Sequence, residues 1–181
     1  MAKSDVSRLL EAVSFSASRH SAQRRKGAAR YPYVNHPIEV ANELAGTGGV
    51  DDVAILMAAV LHDTVEDTGT RPEELGRLFG ADVRRLVEEV SDDTSLSKAE
   101  RKRLQVARAA SLSRGAKLIK LGDKICNVRE VANNPPPDWP AARRREYLDW
   151  AEAVVAGCRG ANAALERKFD EVLGVARSLV G

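Results

Sequence analysis

Along this chain apolar residues recur at spacings of three and four with polar residues between them, the pattern of amphipathic helices, and no stretch reads as a strand. The pattern predicts a first helix from Asp5 to about Ser21, with Val6, Leu9, Leu10 and Val13 on its inner face. A loop (residues 24–35) carrying glycine, proline and two tyrosines leads to His36-Pro37. Proline suits the first turn of a helix, so a second helix starts there and ends near Gly46. Asp51 or Asp52 can cap a third helix over residues 53–67, apolar nearly all round and so central to the core. A short helix ends at Gly80, another covers 82–90, and a polar connection joins it to a helix from Lys98. A second strongly apolar helix covers 116–132, followed by a proline-rich loop. Two amphipathic helices, Ala141–Cys158 and Ala161–Leu179, close the chain around Gly160. With no repeat, low-complexity stretch or linker, the expected fold is one all-α domain over residues 1–181, a bundle of roughly eight to ten helices.

Composition narrows the function classes. The chain has 181 residues, 44% hydrophobic and 30% charged, an ordinary balance for a protein with a packed core. No apolar run approaches the roughly 20 residues that span a bilayer. The first residues contain no separate apolar segment of the signal-peptide kind, so no membrane partner and a cytoplasmic protein are expected. Cys126 and Cys158 lack metal-type spacing and read as reduced, mostly buried thiols. A net charge of +2 does not imply a nucleic-acid partner, and none is expected. Its distribution carries more: Arg24 to Lys26, Arg101 to Arg103 and Arg143 to Arg145 are basic runs. Each alone suits a solvated helix face; together they also suit a small, highly phosphorylated ligand.

The candidate chemistry centres on His62-Asp63, at the end of the apolar third helix. Two titratable groups there need a partner, and a metal ion would serve. Glu66 and Asp67 follow four residues after His62 and Asp63, which puts carboxylates on nearly the same helix face as the ligands. His36, at a helix mouth, is a further ligand candidate, with a cap or a satisfied core histidine as the alternative. Asp123 interrupts an apolar helix, with a salt bridge to Lys120 as its alternative explanation. His36, His62, Asp63 and Asp123 thus form a mixed imidazole and carboxylate set that suits Mn²⁺, Fe²⁺ or Zn²⁺ better than Mg²⁺ or Ca²⁺. Such an ion is a Lewis acid and an activator of water. The remaining histidine, His20, sits among polar residues and reads as a surface group.

The order H…HDTVED…D resembles the HD superfamily of metal-dependent phosphohydrolases. The segments YPYVNHPIEVA, AAVLHDTVEDT, FGADVRRLVEEVSDDTSLSKAERKRLQ and GAKLIKLGDKICNVRE together resemble the hydrolase domain of RelA/SpoT-type alarmone enzymes, closest to the small stand-alone hydrolases of the metazoan type. The resemblance implies removal of pyrophosphate from the 3′ position of ppGpp or pppGpp, with one Mn²⁺ per site and Zn²⁺ or Fe²⁺ as alternatives. It implies His36, His62, Asp63 and Asp123 as metal ligands, and Glu66 and Asp67 as the pair that positions and deprotonates water. Arg25 and Lys26 would meet the nucleotide, the arginine against guanine; Asn127 would face substrate and Tyr147 would line the nucleoside pocket. Lys98 and Arg143 would offer charge to phosphates. Gly122, Cys126 and Thr94 depart from the family's usual residues, and none of them removes a ligand. Two rival readings stand beside this one. The first is an HD hydrolase of other 3′-phosphorylated nucleotides or of deoxynucleotides, and the second is a nucleotide-sensing module without catalysis.

Overall fold

The computed structural model describes residues 3–180, so the outermost positions of the expected 1–181 domain, residues 1–2 and 181, lie outside the described residues. Every regular element among the described residues is a helix, beside an isolated backbone bridge between Arg24 and Pro32. In chain order the helices are α1 (Asp5–Arg19), α2 (Asn35–Gly46), α3 (Val53–Leu61), α4 (Thr64–Thr68) and α5 (Pro72–Phe79). They continue as α6 (Ala81–Val90), α7 (Lys98–Arg108), α8 (Arg114–Asn133), α9 (Ala141–Cys158) and α10 (Ala163–Val180), with a 3-10 turn at Ala109–Ser111. The all-α bundle read from the periodicity is therefore the fold.

Helix starts follow side-chain chemistry. Ser4, Asp52, Ser97 and Ser113 each accept a hydrogen bond from the first turn of the helix they precede, satisfying donors that have no partner within the helix. Helix α8 is the axis of the molecule: it packs on α2, α3, α6, α9 and α10, and both its apolar residues and several of its polar ones are buried. Gly122 permits a close approach of α8 to α2. A Cβ there would stand 3.1 Å from Leu44 Cδ2 and 3.2 Å from Val40 Cγ1, both on α2. The glycine that departs from the family's usual residue thus serves packing.

Two expectations need correction. On α1, Val6 and Leu10 are 69% and 61% exposed, while Ala12 and Ser16 are buried and Leu9 and Val13 partly so. The inner face is rotated from the one predicted, because it follows the contact with α3 rather than the largest apolar residues. The predicted helix 53–67 is broken at His62-Asp63 into α3 and α4. The break has a local cause. The His62 ring binds the Ala59 carbonyl at 2.8 Å, and the Thr64 hydroxyl donates to the Leu61 carbonyl at 2.7 Å, so side chains occupy acceptors at the end of α3. Gly69, with a positive φ of 71°, ends α4 one turn later.

Candidate active site: a metal-ligand cluster in a basic cleft

The packing of α2 against α8, with the α3–α4 turn beside them, brings four side chains to one point. His36 stands in the first turn of α2, Asp123 midway along α8, and His62 and Asp63 at the break. His36 Nε2 lies 3.1 Å from Asp123 Oδ1 and 3.8 Å from Asp63 Oδ2. His62 Nε2 lies 3.1 Å from Asp63 Oδ2 and 3.8 Å from Asp123 Oδ1. His36, His62 and Asp123 offer ligand atoms within 4.8 Å of one another, all from buried residues.

The protonation pattern suits a cation. A carbonyl can only accept, so the His62 ring donates Nδ1–H to Ala59, and Nε2 is left with its lone pair. That Nε2 is buried, has no hydrogen-bond partner, and faces two carboxylates. Acceptors gathered in this way repel unless positive charge stands between them. Without an ion a proton takes the role. Burial disfavours the charged His62 ring, but the Asp63 carboxylate outweighs it and lifts the pKa to about 9. His36 moves the other way, chiefly through burial, and is neutral. Asp63, despite burial, is held below the ordinary carboxylate range by His62, and Asp123 by Lys124.

Buried partners hold the candidate ligands from behind. Lys124 donates to Asp123 Oδ2 at 2.7 Å and lies 4.5 Å from the centre of the Trp150 ring. Lys120 is instead committed to the Val90 carbonyl at 2.7 Å. The Lys120–Asp123 salt bridge, the alternative explanation for Asp123, does not form, and Lys124 is the cation paired with it. Tyr33 donates from its hydroxyl to Asp63 Oδ2 at 2.7 Å. Asn127 donates to Asp123 Oδ1 and accepts from Arg25 Nη2 at 2.8 Å, linking the basic loop to the ligand set.

Glu66 and Asp67 stand beside this cluster on α4. Burial raises both carboxyls above their ordinary range; the Asp92 amide pulls Glu66 partly back, whereas the Asp63 charge adds to the rise at Asp67. Glu66 accepts from Arg101 at 3.0 Å and from the Asp92 backbone amide at 3.2 Å. Its carboxylate is therefore braced by two donors, whereas at Asp67 the Tyr33 hydroxyl is the hydrogen-bonding group that offsets part of the rise.

All of these groups open onto one cleft of about 390 Å³, within the range of small-molecule sites. Arg25, Lys26, Lys98, Asn127 and Tyr147 line it with the cluster. Arg143 does not: its guanidinium lies 4.6 Å from the centre of the Trp139 ring and faces Asp138, at the rim. Five further basic groups, Arg24, Arg101, Lys102, Lys120 and Lys124, also line the cleft. Arg101 and Lys102 belong to the second basic run noted above, so a signal existed for them. Trp139, Tyr147 and Trp150 form an aromatic wall, with neighbouring ring centres 5.5 and 5.3 Å apart. Lys102 packs 4.6 Å from the Trp150 centre. Burial pushes the Tyr147 hydroxyl up to about 12 despite Lys124 beside it, so it is a neutral donor. His20, expected at the surface, is 1% exposed and lies behind the site. Thr94 is exposed and does not line the cleft.

Comparison with known proteins places this geometry. Residues 12–152 match the HD domain family. The chain belongs to the HD-domain family. Within it, the chain is 52% identical over 163 residues to the guanosine-3′,5′-bis(diphosphate) 3′-pyrophosphohydrolase MESH1 of Homo sapiens, covering 90% of this chain and 91% of that protein. It is 50% identical over 169 residues to MESH1 of Xenopus tropicalis, covering 93% and 94%. Among solved structures, a metazoan ortholog of SpoT that hydrolyses ppGpp superposes with a TM-score of 0.90 at 47% identity, covering 95% of this chain and 96% of that one. This HD domain thus shares nearly its whole length with those enzymes. No helix among the described residues is long and apolar enough to cross a membrane.

Proposed function

We propose that this HD-domain protein is a manganese-dependent hydrolase of the 3′-diphosphate of ppGpp and pppGpp, releasing pyrophosphate and leaving GDP or GTP. The observation that carries the reading is one cleft holding three things together. These are the His36, His62, Asp63 and Asp123 cluster, the raised carboxyls of Glu66 and Asp67, and the basic loop of Arg25 and Lys26. Similarity over nine-tenths of the chain to enzymes named for this reaction supports the choice of substrate.

His36, His62, Asp63 and Asp123 would hold the ion. Mn²⁺ is the ion proposed, with Zn²⁺ and Fe²⁺ also compatible with these donors. A divalent ion there supplies Lewis acidity and lowers the pKa of water. Asp67 takes the water proton, with Glu66 orienting the same water from its brace on Arg101. The water oxygen bonds to the phosphorus carried on the ribose 3′ oxygen, the bond from phosphorus to that oxygen breaks, and the 3′ oxygen leaves as a hydroxyl after taking up a proton. Arg25 and Lys26 receive the nucleotide, and the Tyr147 wall accommodates the nucleoside. Lys98, Lys102 and Arg101 provide fixed positive charge where phosphate charge builds. Arg143, at the rim, contributes only long-range attraction.

The test is a time course with ppGpp and Mn²⁺, alongside other 3′-phosphorylated nucleotides and deoxynucleotides. Pyrophosphate and GDP in equal amounts support the reading. Consumption of the other nucleotides with ppGpp untouched would retain the metal site and remove the substrate assignment.

A further inference from the structure

His20 caps α1 and stacks on Tyr33, with ring centres 4.9 Å apart and planes inclined by 30°. Its Nδ1 lies 2.5 Å from Gln23 Oε1, and Gln23 Nε2 donates to the backbone carbonyl of Asp67 at 2.7 Å. Neither His20 nor Gln23 lines the cleft.

The roles along this path follow by elimination. The Asp67 carbonyl can only accept, so Gln23 must turn its NH₂ toward Asp67 and its oxygen toward His20. Two acceptors cannot pair, so His20 carries its hydrogen on Nδ1. The Asp67 carbonyl belongs to the end of a five-residue helix, where carbonyls have no helical partner. A helix that short cannot hold its own geometry. Its two ends are held from outside instead: Tyr33 binds Asp63 at one end, Gln23 binds Asp67 at the other, and His20 touches both Tyr33 and Gln23.

We propose that His20, Gln23 and Tyr33 form one positioning unit, supplied by the end of α1 and the following loop, that sets where the Asp67 carboxylate stands relative to the metal ligands. His20 and Gln23 act through Asp67, so the proposal rests on the reading of Asp67 as the base.

Gln23→Leu removes both hydrogen bonds at similar volume. His20→Phe keeps the stacking and loses the donor, whereas His20→Asn keeps a donor near the Nδ1 position. The first two variants lower kcat by about 10- to 100-fold, as removal of outer-shell partners does, and leave KM within about twofold. His20→Asn recovers most of the loss. An arm independent of activity uses hydrogen exchange of the Mn²⁺-loaded protein: amides of residues 64–69 exchange about tenfold faster in Gln23→Leu, and those of α8 do not change. If the wild-type protein releases no pyrophosphate from ppGpp, the functional reading fails and the exchange arm decides the positioning claim alone. Wild-type exchange at 64–69 in Gln23→Leu overturns the proposal. So does a loss confined to KM while Asp67→Asn is inactive.

Discussion

Gly122 and Asp123 are consecutive residues of α8, and they belong to two regions held by different physics. On the Gly122 side, α8 meets α2 through Val40 and Leu44 at distances that a methyl group would crowd. Shape and volume decide that contact. On the Asp123 side, the same helix turns a buried carboxylate toward His36, Lys124 and Asn127. There, pairing decides: each buried charge is tolerated because another group answers it. A substitution on the apolar side should therefore cost stability and spare chemistry, and one in the cleft should do the reverse.

The largest expected effect breaks the cleft alone. Asp67→Asn lowers kcat by about 10²- to 10⁴-fold, the usual worth of a general base, while thermal unfolding stays at the wild-type temperature. Steady-state kinetics beside a melting curve checks both halves. Next, Leu118→Ala on the buried surface of α8 costs about 2–5 kcal/mol in denaturant unfolding, with kcat per folded molecule unchanged. Loss of activity in the folded fraction would show that the two sides of α8 are not separable. Arg25→Ala removes a cleft cation bonded to Asn127 and raises KM about 10- to 100-fold, with a smaller change in kcat.

A pH effect follows from His62. In the ion-free protein its pKa is about 9, so the ring is protonated at neutral pH and must lose that proton to bind a cation. Mn²⁺ binding at pH 7 then releases about one proton per ion, and affinity rises about tenfold per pH unit until pH approaches that pKa. Calorimetry in buffers of different ionisation enthalpy reads the release. The smallest effect belongs to Gly122→Ala. A helix gain of about 1 kcal/mol opposes the crowding of Leu44 and Val40, and the net change in unfolding free energy stays within about 1 kcal/mol with turnover intact.

Much of this was legible in the chain itself, and the exceptions have physical causes. Helical periodicity places nearly every element, because the outer helices bury one face and the central α3 and α8 are recognisable by apolar residues nearly all round. The break at His62-Asp63 was not visible, since TVED continues a helical pattern and the break depends on side chains capturing the α3 carbonyls. Lys124 as the partner of Asp123 was hidden for a similar reason: helical spacing points to the residue three positions away, and the cleft selects the adjacent one. His20 looked solvated among polar neighbours. Its burial comes from the Tyr33 loop folding over it, a contact that no local pattern encodes. Arg143 shows the converse, a residue in a suggestive basic run that packs on Trp139 outside the cleft.

The most direct test of the central claim is release of pyrophosphate from ppGpp by the purified protein under saturating Mn²⁺, followed with and without chelator. Pyrophosphate and GDP are expected in equal amounts, with no product once the ion is removed. Undiminished release after complete removal of divalent ions, or no release by fully Mn²⁺-loaded protein, would contradict that claim.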